Sequence, residues 1–158
     1  MSRWVVLLHV LCGFWFVAGL VGRDVTLGKA RRIRDIGVIV ELAELAGRFD
    51  RLMVVPGSIA VFVLGLITAW IQGRPFTGSG NWWLLTSLLL YLSLMPLIPL
   101  VFLPRGRIFE TALTEAVDLG EVTPDLTAAF QDKAVRTTRL YEWFMVTAVI
   151  VLMVTKPF

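Results

Sequence analysis

The stretch WWLLTSLLLYLSLMPLIPLVFLP, residues 82–104, contains no Asp, Glu, Lys or Arg. A helix needs about 20 apolar residues, at about 1.5 Å each, to cross the hydrocarbon core of a bilayer. This stretch is long enough to do so. Comparable uncharged runs begin at Trp4 and at Leu52. The sequence therefore predicts an integral membrane protein.

The composition of the 158-residue chain supports this prediction. Hydrophobic residues make up 57% and charged residues 17%, whereas an ordinary soluble domain is about a quarter charged. The balance excludes a typical soluble domain, a disordered chain and a coiled coil. The net charge of +3 does not indicate a nucleic-acid partner, because the basic residues collect beside the apolar runs. That placement points to membrane topology and anionic lipid.

The pattern of charges predicts four spans, at about residues 4–22, 52–72, 82–103 and 137–155. The last uncharged run, 143–155, is too short alone, so its helix must begin near Thr137. We expect an all-α fold in which residues 1–158 form a single transmembrane domain. It is an integral membrane four-helix bundle with helical cytoplasmic extensions.

The distribution of Lys and Arg predicts the orientation. Of the 15 basic residues, twelve lie in the segments 23–51 and 104–139, and only Arg3, Arg74 and Lys156 lie on the other side. Cytoplasmic loops carry the excess of positive charge. We therefore expect a multi-pass protein of the bacterial inner membrane with both termini outside the cytoplasm.

The two basic segments carry signs of helices. Polar residues recur at three and four positions between Asp35 and Arg51, which is typical of an amphipathic helix. A second helix is predicted over 107–119, ended by Gly120. Thr123, followed by a proline, is a predicted N-cap for a fourth helix that runs unbroken into the membrane. These extensions are either solvated interfacial helices or a docking surface for another subunit.

Small and imino residues predict how the spans pack and bend. We expect close helix approach at the small residues of the first two spans, and a bend in the third span at its two prolines. The residues are Ala18, Gly22, Gly57, Ala60, Gly65, Pro96 and Pro99.

His9, the single histidine, is the first candidate for chemistry, because an ionisable side chain in lipid is a functional candidate by default. It lies five residues after Trp4, which puts it about 7.5 Å below the belt of aromatic residues expected at the outer membrane surface, formed by Trp4, Trp70, Trp82 and Trp83. Its helical face continues through Cys12, Gly13, Phe16 and Leu20 and suits a flat ligand. At the same depth we place Gly65, Thr68, Thr86, Ser87 and Met153.

Three interpretations of His9 follow. Imidazole with the thioether of Met153 is an axial ligand pair for haem b. Imidazole with the thiol of Cys12 suits copper(I), a weaker option. In the third, His9 binds no cofactor and is bonded to Thr68, Thr86, Ser87 or a water.

Other chemistry is sparse in the sequence. Glu142 lies three residues after Arg139, where an ion pair near the headgroups satisfies it. The chain has no Gly-rich phosphate loop, HExxH or GxSxG pattern, and one histidine cannot form a multi-His metal centre. These absences argue against a hydrolase, and whether the protein is an enzyme stays open.

The run LHVLCGFWFVAG, residues 8–19, resembles the first-helix pattern of a group of bacterial membrane proteins: a His, a Trp about two turns later, then Ala-Gly. The group includes copper-resistance protein D, the HemJ-type protoporphyrinogen oxidase and a family of predicted four-helix integral membrane proteins of unknown function. The whole chain is most similar to the last. The resemblance implies that His9 matches the histidine implicated in haem b binding. The oxidase family's third-helix lysine has no counterpart in 82–103, so the resemblance does not imply porphyrinogen oxidation.

Two functions are therefore predicted. In the first, a small polytopic membrane protein binds haem b or a metal through His9 for electron transfer or cofactor handling. The cofactor site is completed by Met153 or by His9 of a second copy in a homo-oligomer. In the alternative, the chain is a non-catalytic accessory subunit of a larger respiratory, photosynthetic or transport complex. Both place it in the lipid bilayer.

Overall fold

The computed structural model of the chain describes residues 2–75 and 81–156, which contain helices and no strand. Four helices are long and apolar enough to cross a membrane: Arg3–Ala30, Ile36–Ile71, Trp82–Leu119 and Pro124–Thr155. The all-α prediction with four membrane helices is confirmed. Each helix extends beyond the predicted span. The predicted outer turn at Thr77-Gly78-Ser79-Gly80 lies outside the described residues.

The chain divides into two compact units. The first comprises Met1–Arg74 with Gly120–Val122, and the second comprises Pro75–Leu119 with Thr123–Phe158. The first unit contains α1 (Ser2–Ala30), α2 (Ile36–Phe49), a π-helical turn (Asp50–Val54) and α3 (Val55–Ile71).

Helix α2 begins where its sequence predicts. The side chain of Asp35 accepts a hydrogen bond from the N–H of Val38 at 3.2 Å and so caps the helix. Glu44 and Arg48 are 3.7 Å apart on its exposed side. The π-helical turn then joins α2 to α3, so the second membrane helix is continuous over 36 residues, Ile36–Ile71.

Glycines set the packing of α1 against the second membrane helix. A Cβ on Gly57 would lie 3.0 Å from the Cβ of Phe16, and one on Gly22 would lie 2.6 Å from the ring of Phe49. The prediction of close approach is confirmed at Gly22 and Gly57. It is wrong at Ala18, which is exposed. The neighbouring Gly19 faces the second membrane helix instead, since a Cβ added there would lie 2.6 Å from the Cβ of Met53.

Arg23 follows the first predicted span, yet it lies within α1 and is only 5% exposed. Its guanidinium donates to Asp24 at 3.0 Å and to Asp50 at 3.4 Å. A buried cation must be paired, and the two carboxylates supply the pairing.

The second unit contains α4 (Trp82–Leu94), a π-helical turn (Ile98–Phe102), α5 (Leu103–Leu119), α6 (Pro124–Phe130) and α7 (Lys133–Thr155). Regular α-helix stops at Leu94, just before Pro96, and the π-helical turn that follows contains Pro99. A proline lacks the N–H of the helical ladder, so this interruption agrees with the predicted bend. Gly120, at φ +70°, ends α5 as predicted.

Thr123 caps α6 by accepting from the N–H of Leu126 at 3.2 Å, as predicted. The prediction that the fourth helix runs unbroken is wrong, because α6 ends at Phe130 and Asp132 starts α7 as a new N-cap. The Asp132 carboxylate accepts from the N–H of Ala134 and Val135 at 2.8 and 3.3 Å. A side-chain acceptor replaces backbone carbonyls there, so the chain leaves helical geometry.

Helices α4 and α7 pack antiparallel within the second unit. The hydroxyls of Ser93 and Tyr141 are 2.8 Å apart. At the other end of α4, ten residues before Ser93, the ring centroid of Trp83 lies 5.7 Å from the Lys156 ammonium. Nearby, α5 and α6 form a hairpin in which the rings of Phe109 and Phe130 meet edge to face at 5.0 Å.

Candidate functional site

The imidazole of His9 lies on α1 against the backbone of α3. A Cβ on Gly65 would come within 3.2 Å of His9 Cε1. That is tighter than ordinary van der Waals contact, so the absence of a side chain at Gly65 gives the ring its place. The prediction that Gly65 lies at the depth of His9 is confirmed.

One ring nitrogen of His9 has no side-chain partner among the described residues. Nδ1 is buried and faces the backbone of Val61, at a geometry short of a full hydrogen bond. His9 as a whole is half-buried.

Of the hydroxyls expected to satisfy His9, that of Thr68 does not bond Nδ1. Thr68 Oγ1, one turn after Gly65, is also buried without a hydrogen-bond partner in the described part of the chain. Ser87 Oγ donates to the Trp83 carbonyl at 2.7 Å. The first unit thus holds two buried, unsatisfied polar atoms on facing helices, and each such atom costs stability until a partner reaches it.

The other residues of the predicted ligand face differ in their surroundings. Cys12 is a free, half-buried cysteine one turn from His9, and a Cβ on Gly13 would meet nothing within 4 Å. Phe16, however, is buried against Gly57 of α3. Open space therefore remains beside Gly13, and α3 covers the face at Phe16.

Met153, the predicted second axial ligand, lies on α7 of the second unit, where it is half-buried. Among the described residues, no three His, Cys, Asp or Glu side chains come together as a metal-binding group. Glu142 is buried on α7, with 9% of its surface exposed.

Trp15 has a structural role that the sequence analysis did not find. Its indole Nε1 donates to the Leu52 carbonyl at 3.2 Å. In a regular α-helix that carbonyl would accept from residue 56, but Pro56 has no N–H. The indole therefore donates to a carbonyl of the π-helical turn that cannot accept an α-helical N–H from residue 56. The signal was present in the sequence, as a proline four residues after Leu52 near the start of a span.

In a comparison with protein families, a family model described as "Predicted integral membrane protein (DUF2269)" matches residues 3–157. No curated protein matches the chain, and no solved structure matches it.

Proposed function

Because the chain belongs to the DUF2269 family of predicted integral membrane proteins, we propose that its membrane-embedded histidine carries its function. His9 is proposed to ligate a single haem b for electron transfer or cofactor handling. The observation that carries the proposal is the place of the imidazole inside an apolar helix pair, with Nδ1 buried against the Val61 backbone and no side chain of the described residues bonded to it.

The ring orientation fits a ligating histidine. Such a residue commonly directs one ring nitrogen at a backbone carbonyl and presents the other to the metal. Nδ1 of His9 faces the backbone of Val61, which leaves Nε2 as the nitrogen that would bind the iron. Gly65 fixes the ring plane by close contact.

Ligand number favours haem over a bare metal ion. A zinc ion needs three or four ligands from the protein, and the described residues offer no group of three His, Cys, Asp or Glu side chains. A haem brings four nitrogen ligands of its own and needs one or two axial residues. His9 alone meets the lower requirement. Copper held by His9 and Cys12 is the weaker proposal.

When bound, a haem would supply one-electron redox chemistry at the outer part of the membrane helices. His9 would hold it, and the open space at Gly13 would leave room beside the ring. We propose Met153, or His9 of a second copy, as the second axial ligand. Either choice would raise or lower the reduction potential through the ligand it adds.

The test is an absorption spectrum of the protein purified in mild detergent from a haem-replete host, oxidised and then reduced with dithionite, with metal analysis on the same sample. We expect a Soret band and sharpened reduced bands from the wild type. His9→Ala should lose both. Cys12→Ser, a matched change one turn along the same face, should keep them.

A colourless, metal-free wild type would contradict the proposal. So would a His9→Ala variant that retains the full Soret band while remaining helical. Met153→Leu separates the two second-ligand options, because only a Met-ligated haem would change its spectrum and potential in that variant.

We also propose the orientation given by the positive-inside rule, with Arg34 in the cytoplasm of a bacterium and both termini outside its inner membrane. Single-cysteine variants Ser79→Cys and Arg34→Cys, in a Cys12→Ser background, test it with an impermeant thiol reagent on intact cells. We expect labelling only at position 79. Labelling only at position 34 would invert the topology.

A second candidate, the accessory-subunit function, rests on the α5–α6 hairpin. Between these helices lies an open cleft of about 500 Å³ lined by Arg105, Arg107, Ile108, Thr111, Ala112, Glu115, Asp125, Ala128, Ala129 and Asp132. Its mixed apolar and charged lining suits a helix or loop of a partner subunit. Stable co-purification of one partner that is lost in Thr111→Trp would support it. A monodisperse single species in mild detergent would count against it.

A further inference from the structure

The turn that joins α1 to α2 carries a concentrated positive charge. Lys29, Arg31, Arg32 and Arg34 all lie within six residues and all are exposed. None of the four makes an ion pair with another residue in the described parts of the chain. The one nearby acid, Asp35, uses its carboxylate to cap α2. The turn therefore presents guanidinium and ammonium groups that have no ion-pair partner among the described residues.

The length of α1 sets the depth of this turn. The helix has 29 residues, which at about 1.5 Å each give about 43 Å. A bilayer with its headgroups is about 40–45 Å thick. If the Trp4 end lies at one interface, the Ala30 end reaches the headgroups of the opposite leaflet. The four cations then lie at the level of lipid phosphates.

Two acids of the helix pair below the turn, Asp24 and Asp50, are already paired with another cation. That cation, Arg23, lies about 10 Å nearer the membrane centre by helical rise. The turn is short and is held by backbone hydrogen bonds, Arg32 N–H to Lys29 O at 3.0 Å and Ile33 N–H to Ala30 O at 3.2 Å. The cations are thus held close together rather than on a long linker.

We propose that this cluster, Lys29, Arg31, Arg32 and Arg34, is a binding site for the headgroups of anionic phospholipids. Guanidinium groups bond phosphate through paired N–H donors, and a juxtamembrane basic cluster is attracted to an anionic leaflet. The site is independent of the proposed haem at His9, which lies near the other end of α1.

The test is a titration of the detergent-purified full chain with dioleoyl-phosphatidylglycerol, with dioleoyl-phosphatidylcholine as the uncharged comparison. Binding is followed by lipid retention in native mass spectrometry and by the thermal unfolding midpoint. The variant replaces three arginines, Arg31→Gln, Arg32→Gln and Arg34→Gln. The matched control replaces the three cations at the other ends of the spans, Arg3→Gln, Arg74→Gln and Lys156→Gln.

We expect the wild type to prefer phosphatidylglycerol. Each lost cation should weaken that lipid roughly fivefold at low salt, which is about 1 kcal/mol, so the triple variant should lose on the order of a hundredfold. The control should keep wild-type affinity. Equal phosphatidylglycerol binding by the wild type and the triple variant would overturn the site, and so would an equal loss in the control. If the triple variant does not fold, Arg32→Gln alone must show the single-cation loss.

Discussion

Removing the hydrogen bond between Trp15 and Leu52 should destabilise the first unit only while Pro56 is present. In the wild type, Pro56 offers no N–H to the Leu52 carbonyl, and the indole Nε1 donates to it at 3.2 Å. Trp15→Phe removes that donor and keeps an aromatic ring. Pro56→Ala restores a backbone N–H that can take over the carbonyl. The two substitutions should therefore be strongly non-additive.

The expected magnitude follows from the geometry and the surroundings. A 3.2 Å separation is at the long end of the usual N–H···O range of about 2.7–3.2 Å. Interhelical hydrogen bonds in membranes average about 0.6 kcal/mol and reach about 1.7. An unsatisfied carbonyl in lipid adds to the loss. We expect Trp15→Phe to cost about 1 kcal/mol in the wild type, roughly fivefold in the unfolding equilibrium, and near zero beside Pro56→Ala.

The assay is a double-mutant cycle on reversible unfolding in mixed micelles, with dodecyl sulfate as denaturant and far-UV circular dichroism as the signal. Trp70→Phe is the control, because Trp70 is 82% exposed and should cost a few tenths of a kcal/mol at most in either background. An equal cost of Trp15→Phe with and without Pro56 would refute the reasoning. It would show that the indole does not substitute for the missing N–H.

Three further predictions use the same unfolding assay. Gly19→Ala should destabilise the protein by about 1–3 kcal/mol, since its Cβ would lie 2.6 Å from Met53 Cβ. Gly13→Ala should be neutral or stabilising, because a Cβ there meets open space. Equal effects of the two substitutions would argue against the packing of α1. Asp132→Ala should lower the free energy of unfolding by about 1–2 kcal/mol through the lost cap of α7. Asp132→Asn should lower it by less than half of that, because the ion-pair partner Arg105 is half-exposed. An Asp132→Ala variant of unchanged stability would contradict the cap. Ser93→Ala and Tyr141→Phe should each cost about 0.6 kcal/mol and not add, as they share one bond; full additivity would exclude that bond.

The candidate site was only partly predictable. Burial of His9 in lipid and its match in depth to Gly65 follow from counting residues along two helices, since rise per residue is fixed. That Nδ1 stays unpartnered and Thr68 does not bond it depends on the relative rotation of α1 and α3. Rotation is decided by contacts such as Phe16 on Gly57, and a sequence pattern does not contain them.

The sequence by itself determined the membrane class, the four helices and several of their ends. Uncharged runs predict spans, and the caps at Asp35 and Thr123 and the stop at Gly120 are local properties of a few neighbouring residues. Only the tertiary structure decided that Arg23 is buried between two carboxylates and that Trp15 serves a carbonyl on another membrane helix. The long-range contacts among these, Arg23 with Asp50 and Trp15 with Leu52, join residues 27 and 37 positions apart. Their formation depends on the distance and angle between packed helices. Hydropathy fixes neither quantity, because it reports the preference of each residue for lipid and not which neighbour it meets there.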